Sequence, residues 1–115
     1  MIDSYDFGAI VINGKKYTTD VIIFPDRVRD RWWRKGGHRL RLEDLREVLD
    51  AKIPPEVLVI GTGYSGVMQV PNELVKELGS RKAQVITQPT KQACQTFEEL
   101  LKSGVRVVGA LHLTC

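Results

Sequence analysis

The first half of the chain alternates short apolar runs with turn residues, a pattern typical of small antiparallel strands. Asn13-Gly14 is a strong hairpin signal, because both residues tolerate a positive φ, and Pro25 ends the last of the first three runs. The segment from Arg27 to Leu42 predicts a second hairpin turning at Gly36-Gly37. The strands predicted for this antiparallel layer are residues 7–12, 16–18, 21–24, 27–34 and 38–42.

The second half changes to apolar strand-like runs separated by amphipathic helical segments. A helix should begin at Glu43 or Asp44, with acids in its first turn, and Pro54-Pro55 should stop it. Strand and helix then alternate with short links, which predicts right-handed crossovers and parallel strands. The expected strands are residues 57–60, 83–87 and 105–111, and the expected helices are residues 72–78 and 90–102. The pattern predicts a layered α/β fold over one domain of residues 1–115, with a mixed central sheet, a C-terminal βαβαβ unit and an additional N-terminal antiparallel β layer.

The amino-acid composition is that of a soluble globular domain, and it also bears on the cellular location of the protein. The chain has 115 residues, 43% of them hydrophobic and 27% charged, which is an ordinary balance for one such domain. No apolar run approaches the roughly 20 residues of a membrane helix, and acids stand where a signal peptide would carry bases. The two cysteines form no CxxC motif. We therefore expect a cytoplasmic protein with reduced thiols and no membrane contact.

The positive charge is concentrated in one segment. Residues 27–41 hold seven basic residues and one acid, a net charge of +6, whereas the whole chain carries +3. Two tryptophans interrupt the bases, which raises three alternatives: nucleic-acid binding, contact with a partner protein or anionic ligand, or a solvated face. Adjacent side chains on a strand point to opposite faces, so one of the tryptophans should stay incompletely buried. We expect a protein partner or self-association, and not nucleic acid, at Arg29, Arg31, Trp32, Trp33, Arg34 and His38.

A glycine-rich turn follows the apolar run Val57–Ile60 in "VLVIGTGYSG". Its spacing matches the dinucleotide fingerprint, but residues 67–71 are strand-like where a helix should begin, and no acid lies about 20 residues on to hold a ribose. It also lacks the lysine and hydroxyl of a P-loop, since Val67-Met68 stand in their place. We expect no nucleotide or other cofactor, which leaves a simple turn or a turn whose amides hold a small anion.

The predicted topology brings this turn close to two other segments. Parallel strands end at a common sheet edge, where open α/β sheets usually bind ligands. Cys94 is expected in the first turn of the helix capped by Thr90, where free amides and the helix dipole would lower the thiol pKa. Its alternatives are inert packing, lining of a ligand pocket, or action as a nucleophile. The candidate ligand-binding residues are Gly61, Thr62, Gly63, Ser65, Gly66, Thr90, Cys94 and His112.

Metal binding and hydrolase chemistry find little support. The two histidines and two cysteines have no customary ligand spacing, so we expect no metal site. Ser65 lies in Gly-Tyr-Ser-Gly, which is not the Gly-x-Ser-x-Gly elbow of hydrolases.

Several stretches together resemble a known family. These are "WRKGGH", "EDL" at a helix start, "PEVLVIGTGYSG" and "TKQACQTF". They resemble the Mth938-domain type, a family of small uncharacterised single-domain proteins whose eukaryotic relatives include a mitochondrial complex I assembly factor and an adipogenesis-associated domain protein. The resemblance implies a mixed α/β fold with an extra β layer and no established catalysis. The family commonly continues the last motif with Tyr-Asn, where this chain has Phe97-Glu98.

Two functions are therefore expected from different classes. The first, which the resemblance favours, is a non-enzymatic binding or assembly module that uses the basic tryptophan segment. The second is a small-molecule or anion-binding pocket, with Cys94 as a reactive thiol, at the edge of the parallel strands.

Overall fold

The protein folds into two β-sheets and a small set of helices. A computed structural model describes residues 1–115. A 3-10 turn at Leu42–Leu45 leads directly into the first helix. The strands are β1 Ile2–Asp6, β2 Ala9–Ile12, β3 Lys15–Tyr17, β4 Val21–Ile23, β5 Val28–Arg29, β6 Val57–Thr62, β7 Gln84–Gln88 and β8 Val107–His112, and the helices are α1 Arg46–Leu49, α2 Asn72–Ser80 and α3 Thr90–Lys102.

The larger sheet has the strand order β5-β4-β8-β6-β7. Strands β8, β6 and β7 are parallel, whereas β4 runs antiparallel to both β8 and β5. Every residue of β6 and β8 is buried, as expected for parallel strands that are covered on both faces. The smaller sheet, β1-β2-β3, is wholly antiparallel.

Two apolar cores lie on opposite faces of the larger sheet. One joins Leu58 and Ile60 of β6 to Leu74 and Leu78 of α2, together with side chains from the region between β5 and α1. The other joins Val57 and Val59 to α3 and to the smaller sheet. The alternation of side chains along β6 thus divides the interior into two halves, and the molecule has three layers.

Helix α3 packs closely against the larger sheet because β8 has a glycine, Gly109, at the contact. A Cβ atom built on Gly109 would lie 3.0 Å from Cδ1 of Phe97, so the absent side chain makes room for the aromatic ring. Phe97 is itself almost fully buried. This contact fixes α3 across the parallel strands and so places the start of the helix at their C-terminal ends.

The structure confirms the predicted fold class, with four differences in its elements. Strands β4 and β5, expected in the N-terminal antiparallel layer, belong to the larger sheet. The prediction missed β1, an exposed edge strand. The second hairpin was wrong: only Val28–Arg29 forms a strand, residues 30–41 are irregular, and Arg39 makes a single parallel bridge to Gln69. The helix expected from Glu43 to Pro54 is a 3-10 turn followed by the single turn of α1. None of the helices is long and apolar enough to cross a membrane.

Candidate functional site

The C-terminal ends of β6, β7 and β8 meet around the side chain of Thr90. This fully buried hydroxyl accepts a hydrogen bond from the Gly63 amide at 2.8 Å and donates one to the carbonyl of His112. The Thr90 amide donates in return to the carbonyl of Gly63 at 3.0 Å. The predicted meeting of the glycine turn, the start of α3 and residues 112–115 is therefore present, and Thr90 joins them.

The amides of the glycine turn are largely occupied within the chain. Besides Gly63, Tyr64 donates to Thr114 at 2.7 Å, Gly66 donates to Gly63, and Val67 donates to Cys115 at 3.1 Å. A phosphate-binding loop needs several such amides pointing at one ligand. The segment up to Pro71 is not helical, since α2 begins at Asn72. The turn thus builds a backbone junction and does not form a phosphate cradle.

A charged cluster lies buried beside this junction. Asp20 stands immediately before β4, and its Oδ2 atom lies 2.8 Å from both Nη2 of Arg34 and Nδ1 of His112. Its Oδ1 atom accepts a hydrogen bond from the Leu113 amide at 2.7 Å. The side chains of Asp20, Arg34 and His112 are each 10% exposed or less. A carboxylate, a guanidinium and an imidazole therefore share one desolvated site.

Hydrogen bonding decides the charge state of the cluster. Burial alone would raise the pKa of Asp20, but hydrogen bonds from His112 and Leu113 and the charge of Arg34 hold that pKa below its usual value. A carboxylate can only accept a hydrogen bond and a guanidinium can only donate one. Nδ1 of His112 lies 2.8 Å from Oδ2 of Asp20 and 2.9 Å from Nη2 of Arg34, so it can donate to the carboxylate or accept from the guanidinium, but not both. In either arrangement Nε2 is the ring nitrogen without a partner.

Two polar atoms of this cluster have no partner in the protein. They are Nε2 of His112 and Nη1 of Arg34, both buried. The ring of His38 lies edge-on to that of His112, with 5.6 Å between the ring centroids. The fold thus brings together His112, expected at a ligand site, and Arg34 and His38, expected on a partner surface.

Asp20 belongs to the site but was not among the expected residues. Its one local signal is its position, an acid directly before the apolar run Val21–Ile23. An acid at that position is close to the core and needs a partner to remain ionised. The sequence could not show which bases would supply it.

Trp32 and Trp33 point in opposite directions, as their adjacency predicted. Trp32 is 5% exposed and its indole nitrogen donates to the carbonyl of Asp44 at 2.8 Å, whereas Trp33 is 71% exposed. A groove of about 310 Å³ runs beside Trp33, between the basic segment and α1. Its charged lining residues are Arg29, Arg31, Lys35, Glu43, Asp44, Arg46 and Glu47.

Cys94 is in a different environment from the one expected. Helix α3 begins at Thr90, and the Ala93 amide already donates to the carbonyl of Pro89, so Cys94 lies beyond the residues whose amides lack helical partners. The thiol is buried, and this burial, with a smaller contribution from Glu98, raises its pKa to about 12. The expectation of a lowered pKa was wrong because desolvation disfavours the thiolate. The side chain lines a groove between β1 and α3 but packs mainly in the core beneath it.

Thiol labelling tests this assignment. At pH 8 the folded protein should react rapidly at one thiol, the exposed Cys115, because Cys94 is both protonated and buried. Labelling with a chromogenic disulfide should therefore give one rapid equivalent in buffer and two in urea. The Cys94→Ser variant should match the wild type in buffer. Two equally fast thiols in the folded wild type would contradict the assignment.

The remaining polar side chains do not form a metal site. No group of three or more His, Cys, Asp and Glu side chains is placed to hold a metal ion. His38 and His112 are neighbours, but the positive charge of Arg34 beside His112 disfavours a cation there.

The layers, strand order and site together define the class of the molecule as a small mixed α/β domain with a buried ionic cluster at its sheet edge. A model of the family described as "Protein of unknown function (DUF498/DUF598)" matches residues 2–112. This chain belongs to that family.

Solved structures extend the same relationship. The conserved hypothetical protein PH1505 from Pyrococcus horikoshii OT3 is 31% identical, with a TM-score of 0.85 over 100% of this chain and 99% of that chain. A protein called MT938 is 27% identical, with a TM-score of 0.80 over 100% and 98%. A protein described as an outer membrane protein from Bartonella henselae is 27% identical, with a TM-score of 0.84 over 99% and 94%. The resemblance to the Mth938 type is confirmed.

Proposed function

We propose that this chain is a non-catalytic binding module of the cytoplasm, which docks an acidic segment of another protein beside Trp33. The observation that carries the proposal is the exposure of Trp33, a large aromatic side chain within the most basic part of the chain. Tryptophan and arginine are enriched among the residues that carry the binding energy of interfaces. The surface formed by Trp33, Arg29, Arg31, Lys35 and Arg46 is called the Trp33 surface below.

Charge complementarity favours an acidic partner. The acids that line the groove beside Trp33 already have partners: Glu47 pairs with Arg27 and Arg29, and Glu43 pairs with Lys35 and Arg41. Asp44 accepts hydrogen bonds from the Lys35 and Arg41 amides. Arg31 and Arg46, by contrast, line the groove without a carboxylate partner in the chain. A carboxylate from a partner could pair with either arginine without breaking an existing ion pair.

The Trp33 surface is held in place although it is irregular. The Trp32 amide donates to the carbonyl of Asp20 at 3.0 Å, and the Arg31 amide donates to Oγ1 of Thr19 at 2.8 Å. Arg34 is fixed by its ion pair with Asp20 and by stacking 4.9 Å above the ring of Trp32. Trp33 thus lies between two anchored residues. Such preorganisation lowers the entropy lost on binding.

Selection from a library of random peptides tests the proposal. Peptides enriched on the wild-type protein should contain acidic and apolar residues. Their affinity should fall at least tenfold on Trp33→Ala, roughly 1.4 kcal/mol or more, because the indole supplies the apolar contact. Fluorescence anisotropy of labelled peptides measures both affinities.

Two matched variants control for nonspecific effects. Ile53→Ala removes an equally exposed apolar side chain, also 71% exposed, from another part of the surface and should leave binding unchanged. Charge reversal by Arg31→Glu should weaken binding, whereas Lys16→Glu on the smaller sheet should not. Peptides that are not acidic, or that bind Trp33→Ala as well as the wild type, would refute the proposal.

The alternative of a small-molecule or anion site has less support. Four amides of the glycine turn are already bonded within the chain, and Asp20 already compensates the charge of Arg34. Five surface grooves, with volumes of about 230 to 480 Å³, are lined by neither Arg34 nor His112. Burial raises the pKa of Cys94, the candidate nucleophile, to about 12, which disfavours a reactive thiolate at neutral pH. A binding module therefore has more support than a small-molecule or anion site.

A further inference from the structure

Strand β7 forms an open edge of the larger sheet. It pairs with β6 on one side and has no strand on the other. The Gln84 amide donates to the carbonyl of Glu56 at 3.0 Å, so Gln84 points its backbone groups toward β6. Because these groups alternate along a strand, Val85 and Thr87 point theirs outward. Each presents an N–H and a C=O group without a partner in the chain.

The other three sheet edges carry features that oppose pairing with another strand. Strand β1 has a bulge between Ile2 and Ser4 and two aspartates, β3 carries Lys15 and Lys16, and β5 is only two residues long and ends in Arg29. Bulges, charges and short length are the usual means by which proteins protect exposed edges. Strand β7, with the sequence QVITQ, has no charge, proline or bulge. Its three central residues are β-branched and favour strand pairing.

We propose that β7 pairs antiparallel with β7 of a second copy of this chain, about a two-fold axis at Ile86. In this register Gln84 lies opposite Gln88, Val85 opposite Thr87, and Ile86 opposite itself. The sequence is close to a palindrome, so side chains of the same kind face each other. A two-fold interface needs such a self-complementary surface.

The backbone geometry fits the same register. Val85 and Thr87, the two residues whose backbone groups face outward, fall opposite each other across the axis. Each such pair exchanges two N–H to C=O hydrogen bonds, as in an antiparallel ladder. Ile86 directs its backbone groups to β6 and takes the non-hydrogen-bonded position on the axis. The two five-stranded sheets then form one continuous sheet.

The side chains of β7 also gain cover from a second copy. Val85 packs at the border of one apolar core and Ile86 at the border of the other, and both remain partly exposed. Cross-strand pairing of β-branched residues buries more of this apolar area. The inference does not depend on the Trp33 surface, which belongs to a different part of the molecule.

Sedimentation velocity and amide hydrogen exchange over a concentration series test the proposal. The wild type should shift from monomer to dimer between micromolar and submillimolar concentration. Exchange at the Val85 and Thr87 amides should slow at least tenfold at the dimeric end, while the Ile86 amide should be protected throughout because it bonds to β6.

Variants of Thr87 locate the interface. Thr87→Pro removes an outward-facing N–H without removing a bond to β6, so it should stay monomeric at every concentration. Thr87→Val keeps the N–H and the branched side chain and should still dimerise, as should Trp33→Ala. A wild type that stays monomeric would refute the proposal. A dimer whose Val85 and Thr87 amides exchange as fast as in the monomer would refute it too, even if Thr87→Pro fails to fold.

Discussion

Replacing Asp20 by asparagine should lower the free energy of unfolding by about 3–5 kcal/mol, because the buried guanidinium of Arg34 then loses its counter-charge. The loss is a large share of the stability of a domain of this size. Urea unfolding followed by tryptophan fluorescence measures it. Asp26→Asn is the matched control: its carboxylate pairs with Arg27 at 3.4 Å but is 77% exposed, so the change should cost less than about 0.5 kcal/mol.

The pH dependence gives the same prediction an independent check. The pKa of Asp20 is lowered in the folded protein, so its contribution to stability is complete above the unfolded value, about 3.9. The contribution is lost as the pH falls from there through the folded pKa. The difference between the wild type and Asp20→Asn should therefore be constant above about pH 5 and shrink in acid. If Asp20→Asn costs no more than Asp26→Asn, or if the difference persists in acid, the assignment of a buried ionised cluster is wrong.

Replacing Gly63 by alanine should destabilise the protein by about 2–4 kcal/mol, through backbone strain and steric overlap. Gly63 has a φ of +109°, and an added Cβ atom would lie 2.6 Å from the carbonyl oxygen of Thr114 and against the carbonyl carbon of Cys115. Thermal and urea unfolding measure the loss. The glycine motif would then be explained by the tight approach of residues 114–115 to the turn, and not by a ligand.

Gly14→Ala separates the strain from the overlap. Gly14 also has a positive φ, +80°, but no atom lies within 4 Å of an added Cβ. Its replacement should therefore cost only about 1 kcal/mol. Equal losses for the two variants would show that the turn yields easily and that the close contacts at Gly63 do not matter.

The elements that follow residue 56 were predictable because their signals are local, unlike the helix expected from Glu43 to Pro54. The helix over residues 90–102 has the predicted bounds, and the other predicted strands and helix there agree to within two residues. Each of these segments has the periodicity of its own structure and a glycine or proline near its end. Strand β1 was missed because most of its residues are polar and exposed, as on many edge strands.

The basic segment shows where a periodic pattern misleads. Arg39 and Arg41 are exposed and Leu40 between them is buried, as the hairpin prediction required. No hairpin holds the buried side chains of this segment inside. Separate hydrogen bonds hold them instead: the Leu40 amide donates to the carbonyl of Gln69, and the Trp32 indole donates to the carbonyl of Asp44. Alternation of polar and apolar residues indicates which side chains are inside. It does not distinguish a paired strand from an extended loop held at several points.

No local sequence pattern could predict the ionic cluster of Asp20, Arg34 and His112. Asp20 and His112 are 92 residues apart in sequence, and only the pairing of β4 with β8 brings them together. The topology argument predicted that residues 112–115 and the glycine turn would meet, because that follows from parallel strands ending together. It could not place Asp20, since β4 joins the sheet antiparallel from the first half of the chain.

The position of β8 has a consequence for biosynthesis. This strand follows every other element in the chain, yet it lies between β4 and β6 at the centre of the sheet. The sheet therefore cannot close on the ribosome until residues 107–112 have left the exit tunnel. Until then the apolar strands β4 and β6 each lack their central neighbour, a condition that exposes nascent chains to aggregation. The larger sheet is thus completed only by the last of its strands to be synthesised.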